Sequence, residues 1–371
     1  MRTPLSILHT EASQGWGGQE IRILTEAQGF LERGHRAMLA APSQAPIFDE
    51  AKRRGIPVAD VDLRKKRLAN LQSLLRWLSA TPVAFDVINT HSSTDAWLVA
   101  LAGRWRKSLP PVVRTRHVST TVNSNFATKW LYKSASAHVV TTGEALRRQL
   151  HLETGLSLDR ITSVRTGIDL SYFRPHDRTE MRKKLGIVDR PSLGILATMR
   201  DWKGHHDLFD AMKLMQPKFS QWQLLVIGGG PVGPALQKRV ENEGLGEFIR
   251  MVGNQENVPE WLSALDIFVL PSFASEGVPQ GIMQAMACGL PVVSTPVGAI
   301  GEAVQDGLTG LMTEPRNPAR LAESLTTIRA DPDLRLRMGH AGLAYARDHF
   351  GVGIMLDRMD EVFRGVSGKS A

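Results

Sequence analysis

Short, almost wholly apolar runs alternate along this chain with longer stretches in which apolar residues recur every three or four positions. The short runs have the length and continuity of strands buried on both faces, and the longer stretches read as amphipathic helices. In the first half the pattern predicts strands at Ser6–His9, Ala37–Ala41, Val87–Asn89, Val112–Thr115, His138–Thr142 and Ile161–Val164. Helices are predicted near Gln19–Arg33, Ile47–Arg54, Leu68–Ser79, Ala96–Trp105 and Gly143–Leu150. The alternation then restarts, with strands at Leu193–Thr198, Gln223–Ile227, Ile249–Val252, Ile267–Leu270 and Val292–Thr295. Helices Asp207–Met215, Pro234–Glu243 and Val258–Leu265 follow, then one opening at Gly277-Val278-Pro279 and stopping at Gly289, and a helical tail from Pro318. Such alternation builds parallel sheets covered by helices, and the restart marks two doubly wound α/β domains. The length, 371 residues, also exceeds what one ordinary core accommodates.

Composition narrows the class. A hydrophobic fraction of 42% with 22% charged residues is that of a soluble globular protein. No apolar run reaches the length of a membrane-spanning helix. The N-terminal apolar scrap reads as a first strand, so no secretory signal is expected. The single cysteine, Cys288, lies among apolar residues and is expected to be a small buried filler in a reducing, cytoplasmic setting. Charge is unevenly placed: residues 1–174 hold 24 Lys and Arg against 14 Asp and Glu, +10, which leaves −2 for the remainder. Basic-aromatic clusters lie at Arg64-Lys65-Lys66-Arg67, Arg104-Trp105-Arg106-Lys107 and Lys129-Trp130-Leu131-Tyr132-Lys133. Next to the first, Leu68, Leu71, Leu75 and Leu78 form a helical stripe read as core-facing. The excess implies an anionic partner for the first half, either a membrane surface at the inner face of the cytoplasmic membrane or an acidic acceptor. Nucleic acid is not expected, because no recognition module accompanies the charge.

Four segments carry candidate chemistry, each at the end of a predicted strand. Gly15-Trp16-Gly17-Gly18 follows the first strand, and Gly228-Gly229-Gly230-Pro231 follows Gln223–Ile227. Glycine runs there let backbone approach a ligand and turn N–H groups toward phosphate. Thr198-Met199-Arg200-Asp201-Trp202-Lys203-Gly204 offers two cations to a diphosphate. The segment from Leu270 to Gly298, LPSFASEGVPQGIMQAMACGLPVVSTPVG, sets Glu276 just ahead of a helix start. A hydroxyl acceptor there sits beside helix N–H groups suited to phosphate. No His/Cys grouping at metal spacing is visible, so no metal is expected.

The last segment resembles the nucleotide-sugar signature of retaining GT-B glycosyltransferases of family four, the group-1 glycosyl transferases. That pattern is Glu-Gly-x-Pro, a second Glu eight residues after the first, then Ala-Met-Ala-x-Gly-x-Pro-Val-Val. Here Glu276 is present and Gln284 stands where the second Glu is usual; an amide still accepts one hydrogen bond and donates another. TGIDLSYFRP similarly resembles the family's interdomain connector, with Thr166 in place of the usual Asn. The resemblance implies two Rossmann-like domains facing each other across a cleft. Residues 1–170 would bind the acceptor and 171–350 the donor, with a final helix, about 351–366, packing back on the first domain.

It implies roles as well. Arg200 and Lys203 would stabilise the departing diphosphate, Glu276 would hold donor-sugar hydroxyls, and His117 would hydrogen-bond the hexose. Gln284 would take the ribose. Gly17, Gly18, Gly228 and Gly230 would approach phosphate, as would the helix start at Pro279, Gln280, Gly281 and Ile282. The loop with Asn254 and Val258 would hold the base, with uracil the commonest case in the family. His91 would lie nearer the acceptor. The expected reaction is hexosyl transfer with retention from a nucleoside diphosphate sugar, UDP in the commonest case. The acceptor is a saccharide or lipid-linked hydroxyl, as in polysaccharide or lipopolysaccharide synthesis. Two rivals remain: a nucleotide-sugar 2-epimerase, which would need acid/base carboxylates near C2 of the donor, and a non-catalytic carbohydrate- or nucleic-acid-binding protein.

Overall fold

A computed structural model describes residues 3–369 except 107, 119, 124, 216–220 and 275. Of the basic clusters, Lys107 thus lies outside the described residues. The chain forms two compact units, residues 1–167 with 352–371, and residues 168–351.

Unit 1 is a seven-stranded parallel sheet of β1 (Ser6–Thr10), β2 (Arg36–Ala41), β3 (Val58–Asp60), β4 (Val87–Thr90), β5 (Val112–Arg116), β6 (His138–Thr141) and β7 (Ile161–Ser163). Its order is β3-β2-β1-β4-β5-β6-β7. The inner strands β1 and β4 are buried on both faces, as near-continuous apolar runs require. One face packs on the helices Gly18–Glu32 and Val352–Ser367 through Phe30, Met359 and Phe363; the other packs on Leu68–Ala80 and Ser93–Trp105 through Leu71, Leu74 and Leu98. The leucine stripe is corrected at one end: Leu68 is exposed and Leu74 takes the inner place. Leu68 begins its helix directly after four exposed cationic residues, and the chain becomes buried only from Asn70.

Unit 2 is a six-stranded parallel sheet of β8 (Ser192–Leu196), β9 (Gln223–Ile227), β10 (Ile249–Gly253), β11 (Ile267–Leu270), β12 (Val292–Ser294) and β13 (Gly310–Met312). Its order is β10-β9-β8-β11-β12-β13. In both sheets the first strand lies between the second and the fourth, so the order reverses there. A crevice opens at the carboxyl ends of two strands whose connections leave in opposite directions. In unit 1 those strands are β1 and β4, and in unit 2 they are β8 and β11.

The helix read as opening at Gly277-Val278-Pro279 runs instead from Gln280 to Ala287. Pro279 caps it with an extended backbone, ψ 130°, and Glu276 O accepts a hydrogen bond from Ala299 N at 3.2 Å. That tie holds the preceding residues to the loop after β12 and delays the first turn. Cys288 is buried at the end of this helix, and burial pushes its thiol up to about 12.

Candidate functional site

In unit 2 the sequence-selected residues collect at the carboxyl end of the sheet. Lys203 follows β8 in the turn Asp201–Lys203, and Glu276 follows β11, so they flank the reversal point from its two sides. They meet: Lys203 Nζ lies 2.6 Å from Glu276 Oε1. Glu276 is buried, and the buried Ser272 donates its hydroxyl to the same oxygen at 2.7 Å. Ser272 is itself held by Thr295, whose hydroxyl donates to its carbonyl. Phe273 N donates to Trp202 O at 2.9 Å, which joins the two loops through their backbones as well. Arg200 is exposed at the head of the same turn, its guanidinium 5.2 Å from the Trp202 ring centre.

One strand over, Gly228 and Gly230 have φ of 126° and 156°, where L side chains rarely go. A Cβ on Gly228 would overlap Ala197 O, and one on Gly230 would overlap Met199 O. The β9 loop thus lies flat against the chain leaving β8. After β10, Asn254 is exposed and its amide abuts Gly229. Its neighbours Gln255 and Asn257 accept hydrogen bonds from Trp261 Nε1 at 3.1 and 3.2 Å. Val258 starts the next helix half-buried.

The helix Gln280–Ala287 presents its N-terminal, positive end at the carboxyl edge beside Glu276. Gln280 and Gly281 are half-buried in its first turn, and Gln284 is half-buried one turn later. Ile282 is a correction. Its side chain is wholly buried in the unit 2 core and its amide donates to Pro279 O at 3.1 Å, so it has no group left for a ligand.

His117, Gly17 and Gly18 belong to unit 1, at the carboxyl end of that sheet. Gly17 precedes the helix Gly18–Glu32, and its φ of 179° is ordinary extended backbone. The loop before it is braced by Glu11, which sequence reading passed over. Its Oε1 accepts from Ala12 N and Ser13 N, both at 2.7 Å, and its Oε2 accepts from Gln19 Nε2. A carboxylate closing an apolar strand was the available signal. His117 is half-buried past the end of β5, its Nε2 3.0 Å from His91 Nδ1. Among the described residues no three His, Cys, Asp or Glu side chains gather in a way that could hold a metal ion.

Two family models match the chain: "Glycosyltransferase Family 4" over residues 16–172 and "Glycosyl transferases group 1" over residues 190–331. It is 28% identical to "D-inositol 3-phosphate glycosyltransferase 1" of Catenulispora acidiphila, over 94% of this chain and 90% of that one. It is 29% identical to the "D-inositol 3-phosphate glycosyltransferase" of Nocardia farcinica, over 89% and 81%. By fold it resembles a glycosyltransferase of Rickettsia africae, with a TM-score of 0.86 and 20% identity over 99% of this chain and all of that one. It also resembles Anabaena HepE, solved with UDP and glucose, with a TM-score of 0.84 and 19% identity over 97% of this chain and all of that one.

Proposed function

The chain belongs to the family-four, group-1 glycosyltransferases with the GT-B fold, and on that premise we propose that it transfers a hexose from a UDP-sugar to an anionic acceptor, with retention. The observation that carries this reading is the Lys203–Glu276 pair across the reversal point of the unit 2 sheet, between the glycine cradle and a helix N-terminus. Lys203 with Arg200 neutralises the diphosphate as the glycosidic bond breaks, in the place a divalent ion would otherwise take. Glu276, held by Ser272, accepts from hydroxyls of the donor sugar. Gln284 faces the ribose and the Asn254 loop faces the base. His117 is read as a hydrogen-bond partner of the hexose, and the Gly17-Gly18 backbone as a phosphate contact. The acceptor hydroxyl attacks on the leaving-group side, and a donor phosphate oxygen takes its proton.

The acceptor belongs to unit 1, which carries 26 Lys and Arg against 16 Asp and Glu. The curated relatives are named for a phosphorylated cyclitol rather than a lipopolysaccharide, which favours a polyol or saccharide bearing phosphate. Exposed Leu68 and Phe126 beside Lys65, Lys66, Arg67 and Lys129 suit the same unit to an anionic bilayer surface, where a lipid-linked acceptor would be met.

The test is incubation with UDP-hexoses, with and without phosphorylated polyols, reading product by mass and by anomeric configuration. Arg200→Ala should lower transfer roughly a hundredfold or more while leaving the fold intact, since Arg200 is exposed. Interconversion of the donor sugar without acceptor, or unchanged transfer by Arg200→Ala, would sink the reading.

A further inference from the structure

Three strands of the unit 1 sheet each carry a histidine near the carboxyl end, and their register aligns them. His9 on β1 is level with Asn89 on β4, so His91 lies two residues nearer the carboxyl edge. Thr90 is level with Arg114 on β5. Continued outward, that register sets Thr115 beside His91 and His117 two residues beyond. Steps of two keep all three side chains on one face of the sheet. The histidines therefore climb as a diagonal row, from His9 with no exposed surface, through His91 with 5%, to His117, half-buried at the edge.

The row is hydrogen-bonded throughout. His9 Nδ1 lies 3.0 Å from His91 Nε2, and His91 Nδ1 lies 3.0 Å from His117 Nε2. Burial pushes His9 down to about 3. It also holds His91 well below the usual imidazole range, aided by His117, His9 and Arg22, and does the same for His117, aided by Arg22. Three neutral rings and two contacts allow two arrangements. In one, every ring carries its proton on Nδ1: His9 donates to His91, His91 donates to His117, and His117 Nδ1–H is left at the edge. In the other, every proton sits on Nε2 and the row ends on His9 Nε2–H.

His9 Nε2 is buried and has no hydrogen-bond partner among the described residues. The second arrangement would strand an N–H there, whereas the first leaves only a bare ring nitrogen, the more tolerable of the two orphans. We propose that His9 and His91 are positioning residues that lock His117 in its Nδ1–H tautomer, so that it presents a fixed, neutral hydrogen-bond donor to an oxygen of the transferred sugar. This rests on the reading of His117 as the residue facing that sugar. It makes His117 a donor that cannot act as a base through Nδ1. It also gives a role to the two histidines buried at the base of the row.

Nε2–H is the commoner neutral form of free histidine, so the locked form has a distinct signature. Long-range proton–nitrogen NMR on the full chain labelled at histidine should report Nδ1–H for His117 at neutral pH. An Nε2–H signal there overturns the proposal. His91→Phe keeps bulk but breaks the row; His117 should then revert toward Nε2–H. Sugar transfer should fall about tenfold in kcat, with UDP affinity unchanged. His91→Asn, whose amide nitrogen takes the place of Nδ1 and can still donate to His117 Nε2, should restore both the tautomer and most of the rate. A His117 that keeps Nδ1–H in folded His91→Phe, or a His91→Phe enzyme with undiminished kcat, also overturns it. The NMR readout needs no sugar nucleotide. A failure of the glycosyl-transfer reading would therefore appear separately, as absent turnover with the tautomer pattern intact.

Discussion

Lys203 and Glu276 have only 15% and 6% of their side chains exposed, and each is the other's ionic partner. Removing one member of such a pair strands the other, which costs about 3–5 kcal/mol, whereas replacing both by neutral groups of similar shape costs far less. Lys203→Met should therefore lower the urea midpoint sharply, and adding Glu276→Gln should recover most of the loss. Transfer activity should stay low in the double variant, because the proposed diphosphate cation and the proposed hydrogen-bond acceptor for donor-sugar hydroxyls are both gone. Additive stability losses would show that the pair is not coupled. Glu26 makes a second residue-scale case. Burial raises it to about 7, against Arg22 and the Asn89 amide, which pull it down. A carboxyl with a folded pKa above its unfolded value of 4.5 holds its proton more tightly when folded. Stability therefore falls as pH rises from 4.5 through 7. Glu26→Gln removes that titration and should gain on the unchanged protein by on the order of 3 kcal/mol across the window. Parallel pH profiles from urea unfolding would refute a titrating Glu26.

At the scale of elements, what the chain discloses depends on how many faces an element buries. β1, β4, β9 and β11 are buried along their whole length and stand out as apolar runs. β3 and β13 are three-residue edge strands with half-buried or exposed positions, and no pattern of period two can form in so short a stretch. The π-helical turn Leu131–Ala135 sits in a basic-aromatic cluster whose composition speaks of charge rather than backbone. The site divides the same way. Glycine loops, cations and Glu276 are legible because each follows its strand directly in sequence. The Lys203–Glu276 contact, 73 residues apart, and the His9–His91 contact, 82 apart, exist only once strand order and register are set. Helix onset at Gln280 rather than Gly277 likewise depends on a hydrogen bond from Ala299.

The whole chain crosses between its units twice, near residues 167 and 351, and the second crossing returns the helix Val352–Ser367 to unit 1. That helix lays Met355, Leu356, Met359, Val362 and Phe363 into the unit 1 core, while among the described residues the core of unit 2 draws only on those between Ile168 and Phe350. Separate cores should unfold as separate calorimetric transitions, and each can be addressed alone. Phe363 has no exposed surface and packs 5.5 Å from Phe30, centre to centre. Its replacement by Ala should take about 3–5 kcal/mol from unit 1 through lost burial and a cavity. The proposed nucleotide contacts of Arg200, Lys203, Gly228 and Gly230 all lie in unit 2. UDP at about a hundred times its dissociation constant should therefore stabilise that unit by about 2.7 kcal/mol through mass action. The two perturbations should move different transitions. If Phe363→Ala lowers the very transition that UDP raises, and leaves the other in place, the assignment of the C-terminal helix and the nucleotide to separate cooperative units fails.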